Sequence, residues 1–236
     1  MDDCAVNGDP VALATFQRCH HTRQPQVDPF YDHFTAQLNK LWEYYHPIGA
    51  NIAASAILDF ASACYFEVVT QDMKVNPAAS HYPDYVRLKS GFGDFFAFGI
   101  WPVAQFPDIT AYVQAVPAVS RFASEFGSTS RQLSLTFRSD IVNDILSFYK
   151  EELAGETANY VHLLQAVRHK ESGLEVVHDL IDEAVGLSKE ISALLGDDAK
   201  ELWECWKTGY ITYHLCDIRY KLSDLGLTEE TDGASR

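Results

Sequence analysis

Apolar residues recur along most of this chain at three- and four-residue steps, the repeat of helices that each bury one face. Phe30, Phe34, Leu38, Leu41, Trp42 and Tyr45 form one such stripe, punctuated by Pro47 and Gly49. A second stripe runs through Ile57, Phe60, Cys64, Tyr65 and Val68. Pro83 then opens a segment in which Val86, Phe92, Phe96 and Ile100 face one way, interrupted by Gly91 and Gly93 and ended by Pro102. Glycines inside so apolar a helix cost about 1 kcal/mol each, so this pair predicts a break that serves a purpose.

Beyond Pro107 the pattern predicts a short helix and, after Pro117, another that ends near Phe126-Gly127. A helix follows from Asp140 to about Leu153. Leu174, Val177, Leu180, Ile181, Ala184, Leu187, Ile191 and Leu194 make a long regular stripe, and a last helix runs from Asp197 to about Leu222. No stretch shows the alternation and flanking turns of a sheet. The expectation is an all-α fold in one domain over residues 1–236, with a flexible tail at 224–236. Residues 127–138 are polar, rich in Ser and Thr and without an apolar stripe, and read as a loop.

Composition narrows the function. Hydrophobic residues make up 47% of the 236 and aromatics 13%, which is a folding composition. Nine of the 26 Phe and Tyr lie between Phe60 and Phe98, enough either for a plain core or for a cavity lined with rings. A net charge of −15 repels phosphate backbones and makes nucleic acid a poor partner. An acidic protein that takes an anionic substrate does so through bound cations and a few placed Arg and Lys. The five cysteines lack metal-type spacing and read as reduced thiols of a cytoplasmic protein, with Cys19-His20-His21 read as a surface loop. No apolar run is read as long enough to span a bilayer, and the expectation is of no signal peptide.

The sharpest chemical signal is Asn143-Asp144-Ile145-Leu146-Ser147-Phe148-Tyr149-Lys150-Glu151. Asn143, Ser147 and Glu151 fall at i, i+4 and i+8, stacked along one helix face. An amide, a hydroxyl and a carboxylate are hard oxygen ligands, suited to Mg2+, which keeps several waters and completes its shell with substrate phosphate. The alternative for these residue types alone is an ordinary exposed polar face.

This segment resembles the second metal-binding motif of class I terpene synthases, in the version of the fungal trichodiene synthase family. Gly209-Tyr210-Ile211-Thr212-Tyr213-His214-Leu215-Cys216-Asp217-Ile218-Arg219-Tyr220 resembles that family's C-terminal Arg-Tyr motif. Tyr82-Pro83-Asp84-Tyr85-Val86-Arg87 and Ile100-Trp101-Pro102 resemble the segment that holds its diphosphate-sensing arginine. Gly91 and Gly93 fall near the helix break that family members use beside the substrate. The resemblance implies a helical bundle in which Asn143, Ser147 and Glu151 bind one Mg2+, and Arg87, Lys150, Arg219 and Tyr220 hydrogen-bond the diphosphate. It places Phe60 and Tyr213 along the hydrocarbon cavity. Asp2 and Asp3 match the aspartate-rich first motif, which would bring the number of Mg2+ ions to three, although Val6 stands where a further acidic residue is often found. The implied activity is ionisation of a prenyl diphosphate, with farnesyl diphosphate expected, and cyclisation of the carbocation.

The chain also departs from that pattern. Family members carry several helices before the aspartate-rich motif, and the stretch from Arg87 to Asn143 is longer here by about the length of the loop at 127–138. Without those helices, apolar faces are left open, which favours association, a homodimer included. Two competing readings follow: a truncated, catalytically inactive helical protein that keeps the motifs, and a weaker one, prenyl transfer, whose enzymes show two aspartate-rich motifs.

Overall fold

A computed structural model describes residues 10–70, 73–76, 78–82, 85–86, 89, 92–123, 141–155 and 159–226. Asp2, Asp3, Arg87, Gly91 and the loop at 127–138 lie outside the described residues, as do residues 227–236 of the tail. Among the described residues the chain is all-α, with no strand.

The helices are α1 (Pro10–Thr22), α2 (Pro29–Leu38), α3 (Leu41–Tyr44), α4 (Pro47–Thr70), α5 (Gly93–Gly99), α6 (Val116–Ala123), α7 (Ile141–Ala154), α8 (Tyr160–Arg168), α9 (Gly173–Leu194) and α10 (Asp197–Cys216). Local chemistry sets many of these ends. Asp28 caps α2 by accepting from Phe30 N–H at 2.8 Å, with Pro29 in the first turn. Ser172 caps α9 through Glu175 N–H, and the Glu175 carboxylate reaches back to Glu171 N–H.

Two apolar clusters form the core. One joins α1 to α4 through Leu13, Phe16, Tyr31, Leu38, Ala53 and Ile57. The larger joins α5 to α10 around Trp101, Val119, Phe122, Leu180, Ile191 and Trp203. Trp101 ties its ends together: its indole N–H donates to the Ala199 carbonyl at 3.1 Å, and its ring stacks on Tyr112 at 4.7 Å.

Several expectations need correction. The stripe from Phe30 to Tyr45 is not one helix, because the chain turns at Asn39-Lys40. Helix α4 buries Ala50, Ala53, Ile57, Ala61 and Cys64, while Tyr65 is exposed. Its packed face is built mostly of small residues, opposite a polar face of Asn51, Ser55, Asp59 and Ser62, so the spacing of its large residues does not reveal it. By length and composition alone α4 is long and apolar enough to cross a membrane, contrary to the sequence expectation. It nevertheless carries Asp59 and Glu67 and packs its small-residue face within the bundle, against α1 and α5. Cys19-His20-His21 forms the last turns of α1 rather than a loop, with Cys19 buried.

The predicted break near Gly93 is real. Phe92 precedes α5 with φ of 48°, a left-handed backbone that costs an aromatic residue about 1–2 kcal/mol. The turn lays the Phe92 ring against Phe60, 4.3 Å between centroids. The last helix ends at Cys216, six residues before the expected end, because Asp217 leaves the helix and caps a 3-10 turn, Ile218–Tyr220, by accepting from Arg219 N–H. Lys221 follows in the left-handed region.

Candidate active site

Helix α7 buries Val142 and Phe148 in the core. Its other face carries Asn143, Ser147, Lys150 and Glu151. That face is not an exposed polar stripe: Ser147 is only 1% exposed, and Asn143, Lys150 and Glu151 are half-buried. The Ser147 hydroxyl oxygen is buried and has no hydrogen-bond partner among the described residues. A buried hydroxyl without a partner carries a desolvation cost of about 1–3 kcal/mol, which a water or a ligand at that oxygen would relieve.

The short turn after α10 completes the site. Because the helix stops at Cys216, Tyr220 swings back onto α7 and is buried. The Asn143 side-chain nitrogen lies 3.3 Å from the Tyr220 hydroxyl and 3.1 Å from Nε2 of His214. Arg219 donates to the same hydroxyl at 2.6 Å, and its guanidinium lies 4.9 Å from the ring centroid. Lys150 Nζ sits 5.5 Å over the Tyr220 ring. Among the described residues neither Lys150 nor Arg219 forms a salt bridge with a carboxylate, though the charge of Asp217 acts on Arg219. The carboxyl of Asp217 is held below its ordinary range, first by the Arg219 backbone N–H that donates to it.

Four of the sequence candidates therefore meet in one place: Asn143, Lys150, Arg219 and Tyr220. Ser147 and Glu151 share their helix face. Phe60 lies apart but is linked to them by rings. From Phe60 the contacts pass to Phe92, to Phe96, to Tyr210 at 5.6 Å, to His214 at 4.6 Å, and to Tyr220 at 4.7 Å. Tyr213 is 55% exposed and meets this file edge-on at His214. Asp2, Asp3 and Arg87 fall outside the described residues.

The donor set fits a hard divalent cation. Both N–H groups of Asn143 are committed to His214 and Tyr220, leaving the amide oxygen; Ser147 offers a buried hydroxyl without a partner; Glu151 has no cation within salt-bridge reach among the described residues. No cluster of three or more His, Cys, Asp or Glu capable of holding a metal occurs among the described residues, so this set is recognisable only when amide and hydroxyl oxygens are counted. Sequence reading passed over His214 as a functional residue. Its one signal was its place at i+4 from Tyr210, just before the Arg-Tyr pair.

Comparison with known proteins agrees. A family model described as Trichodiene synthase (TRI5) matches residues 1–235. Terpene synthase 29 of Postia placenta is 32% identical over 195 residues, which are 82% of this chain and 52% of that protein. Terpene synthase BipA of Cochliobolus sativus is 30% identical over 227 residues, 94% of this chain and 64% of that one. The trichodiene synthase of Fusarium sporotrichioides is 24% identical over 233 residues, covering 95% and 57%. The chain thus spans roughly half to two thirds of the length of these relatives. With the motif helix, the Arg-Tyr turn and the match over nearly its whole length, the chain belongs to the trichodiene synthase family of fungal terpene synthases.

Proposed function

We propose that this chain carries the metal and diphosphate-binding half of a terpene cyclase that ionises a prenyl diphosphate, with farnesyl diphosphate as the expected substrate. The observation that carries the reading is the meeting of Asn143 with the Arg219–Tyr220 pair beside the buried, unpartnered hydroxyl of Ser147.

Asn143, Ser147 and Glu151 are the residues that would hold one Mg2+. When bound, the ion supplies positive charge against the oxygens of the departing diphosphate. The protein's own groups act on the same oxygens. Arg219 offers a planar fork of N–H donors and Lys150 a point charge. The Tyr220 hydroxyl accepts from both Arg219 and Asn143, which fills its two lone pairs and leaves its hydrogen to be donated. As the allylic C–O bond breaks, the electron pair leaves with the diphosphate, and these donors stabilise it more as its charge grows. The allylic cation then meets ring faces, which attract it and exclude water; the file from Phe60 to Tyr210 is the candidate wall. Transfer of a proton from the cyclised cation to the released diphosphate closes the reaction. Asp2, Asp3 and Arg87 are assigned on family resemblance alone, to two further Mg2+ ions and to the diphosphate.

The alternative is a helical protein that keeps this constellation without turnover. Incubation of the purified chain with farnesyl diphosphate and Mg2+ separates the two. Mg2+-dependent release of diphosphate with volatile products is the expected result; farnesyl diphosphate recovered intact overturns it.

A further inference from the structure

We infer that His214 is a positioning residue: it fixes the side-chain amide of Asn143 with its nitrogen committed to protein and its oxygen left for the cation. The inference rests on the metal-binding reading above and assigns to that site a residue that its ligand set does not contain.

The argument is one of donors and acceptors. His214 is 2% exposed on α10, and its Nδ1 lies 2.8 Å from the Tyr210 carbonyl oxygen one turn back. A carbonyl only accepts, so Nδ1 carries the hydrogen, and in the neutral ring Nε2 is then an acceptor. The Asn143 amide stands 3.1 Å from that Nε2. Its oxygen cannot face Nε2, because two acceptors would oppose each other in a buried site; its nitrogen must.

The other neighbour of the amide could not decide this. A phenol both donates and accepts, so Tyr220 at 3.3 Å would tolerate either orientation of the amide. His214 alone removes the ambiguity. An amide free to rotate would spend part of its time with N–H groups turned toward the cation, where they are repelled. With the nitrogen fixed, the donor chain runs in one direction, from Asn143 into His214 and Tyr220, and the Tyr220 hydrogen is freed for an anion. Groups that hydrogen-bond a metal ligand act this way, and their loss commonly weakens metal binding by about 10–100-fold.

The ring also has packing duties, since it contacts Tyr210 and Tyr220, so the test separates orientation from bulk. In the wild-type chain, long-range 1H–15N correlation of the His214 imidazole should report the Nδ1–H tautomer; the Nε2–H tautomer overturns the inference without any variant. His214→Phe keeps the ring and removes the acceptor. It should expose the Asn143 side-chain amide hydrogens to rapid solvent exchange. It should also weaken Mn2+ binding in the presence of inorganic diphosphate, followed by electron paramagnetic resonance, by about tenfold or more. His214→Gln, whose amide oxygen can replace Nε2, should restore both to within about threefold. Unchanged amide protection in His214→Phe, or unchanged Mn2+ affinity, refutes the positioning role. If the wild-type chain takes up no Mn2+ while the Asn143 amide still responds to His214→Phe, the metal reading falls and the contact is structural only.

Discussion

The Asn143 side-chain nitrogen meets the Tyr220 hydroxyl at 3.3 Å across 77 residues of chain. One residue belongs to the oxygen-ligand face of α7 and the other to the Arg-Tyr turn. Their contact joins the metal and diphosphate halves of the proposed site, and the predictions below follow from it.

Ser147 should show opposite effects on stability and binding. Its hydroxyl is buried without a partner, so Ser147→Ala removes a desolvated group and should raise metal-free stability by about 1 kcal/mol. The same change should abolish most Mg2+-dependent turnover. Urea denaturation and diphosphate release measured on one preparation check both signs, and destabilisation of the metal-free chain would contradict the assignment.

Tyr220→Phe should keep the buried ring, which is 1% exposed, and remove the hydroxyl shared by Asn143 and Arg219. The expected stability loss is about 1 kcal/mol, with turnover reduced by about tenfold or more. Steady-state kinetics with thermal unfolding checks this; wild-type turnover would remove Tyr220 from the site.

Trp101 serves as the fold's control, since it lies in the core and its indole N–H holds the Ala199 carbonyl at the start of α10. Trp101→Phe should cost about 1–3 kcal/mol through the lost bond and lost packing. Mn2+ affinity measured well below the unfolding temperature should change little, in contrast to the Ser147 and Tyr220 variants.

Acid should weaken the fold through His214. Burial is the largest influence and lowers its pKa from 6.5, against the raising effect of its bond to Tyr210. A group whose folded pKa is depressed binds its proton more readily in the unfolded chain. Stability is therefore intact above about pH 6.5 and declines as pH falls from there toward the folded value. His20, lowered by burial and by His21, acts with the same sign. Urea midpoints across this range should fall with pH in the wild type and fall less in His214→Gln; equal slopes would contradict the account.

The sequence made the helices legible wherever one face differed from the other. Helix α9 buries Val177, Leu180, Ala184, Leu187 and Ile191 of its stripe, though Leu174, Ile181 and Leu194 are exposed and Val176, outside it, is buried; α7 carries Asn143, Ser147 and Glu151 at the expected spacing. Helix α4 hid its packed face because that face is built mostly of small residues while large apolar ones such as Tyr65 and Val69 are exposed, and α8, only nine residues long, made no lasting periodic signal. The early end of α10 depends on a single side-chain bond from Asp217, which no period reports, yet it is what turns Tyr220 onto α7. The role of His214 depends on which of its nitrogens carries the hydrogen, a matter of neighbours and not of spacing.

The most direct measurement is a crystal structure of this chain with Mn2+ and inorganic diphosphate, with the metal located by anomalous scattering. The account predicts a Mn2+ ion bound by the Asn143 amide oxygen, the Ser147 hydroxyl and the Glu151 carboxylate, with diphosphate reaching Arg219, Tyr220 and Lys150. A metal seated away from those three oxygens, or an Asn143 nitrogen turned toward it, would contradict it.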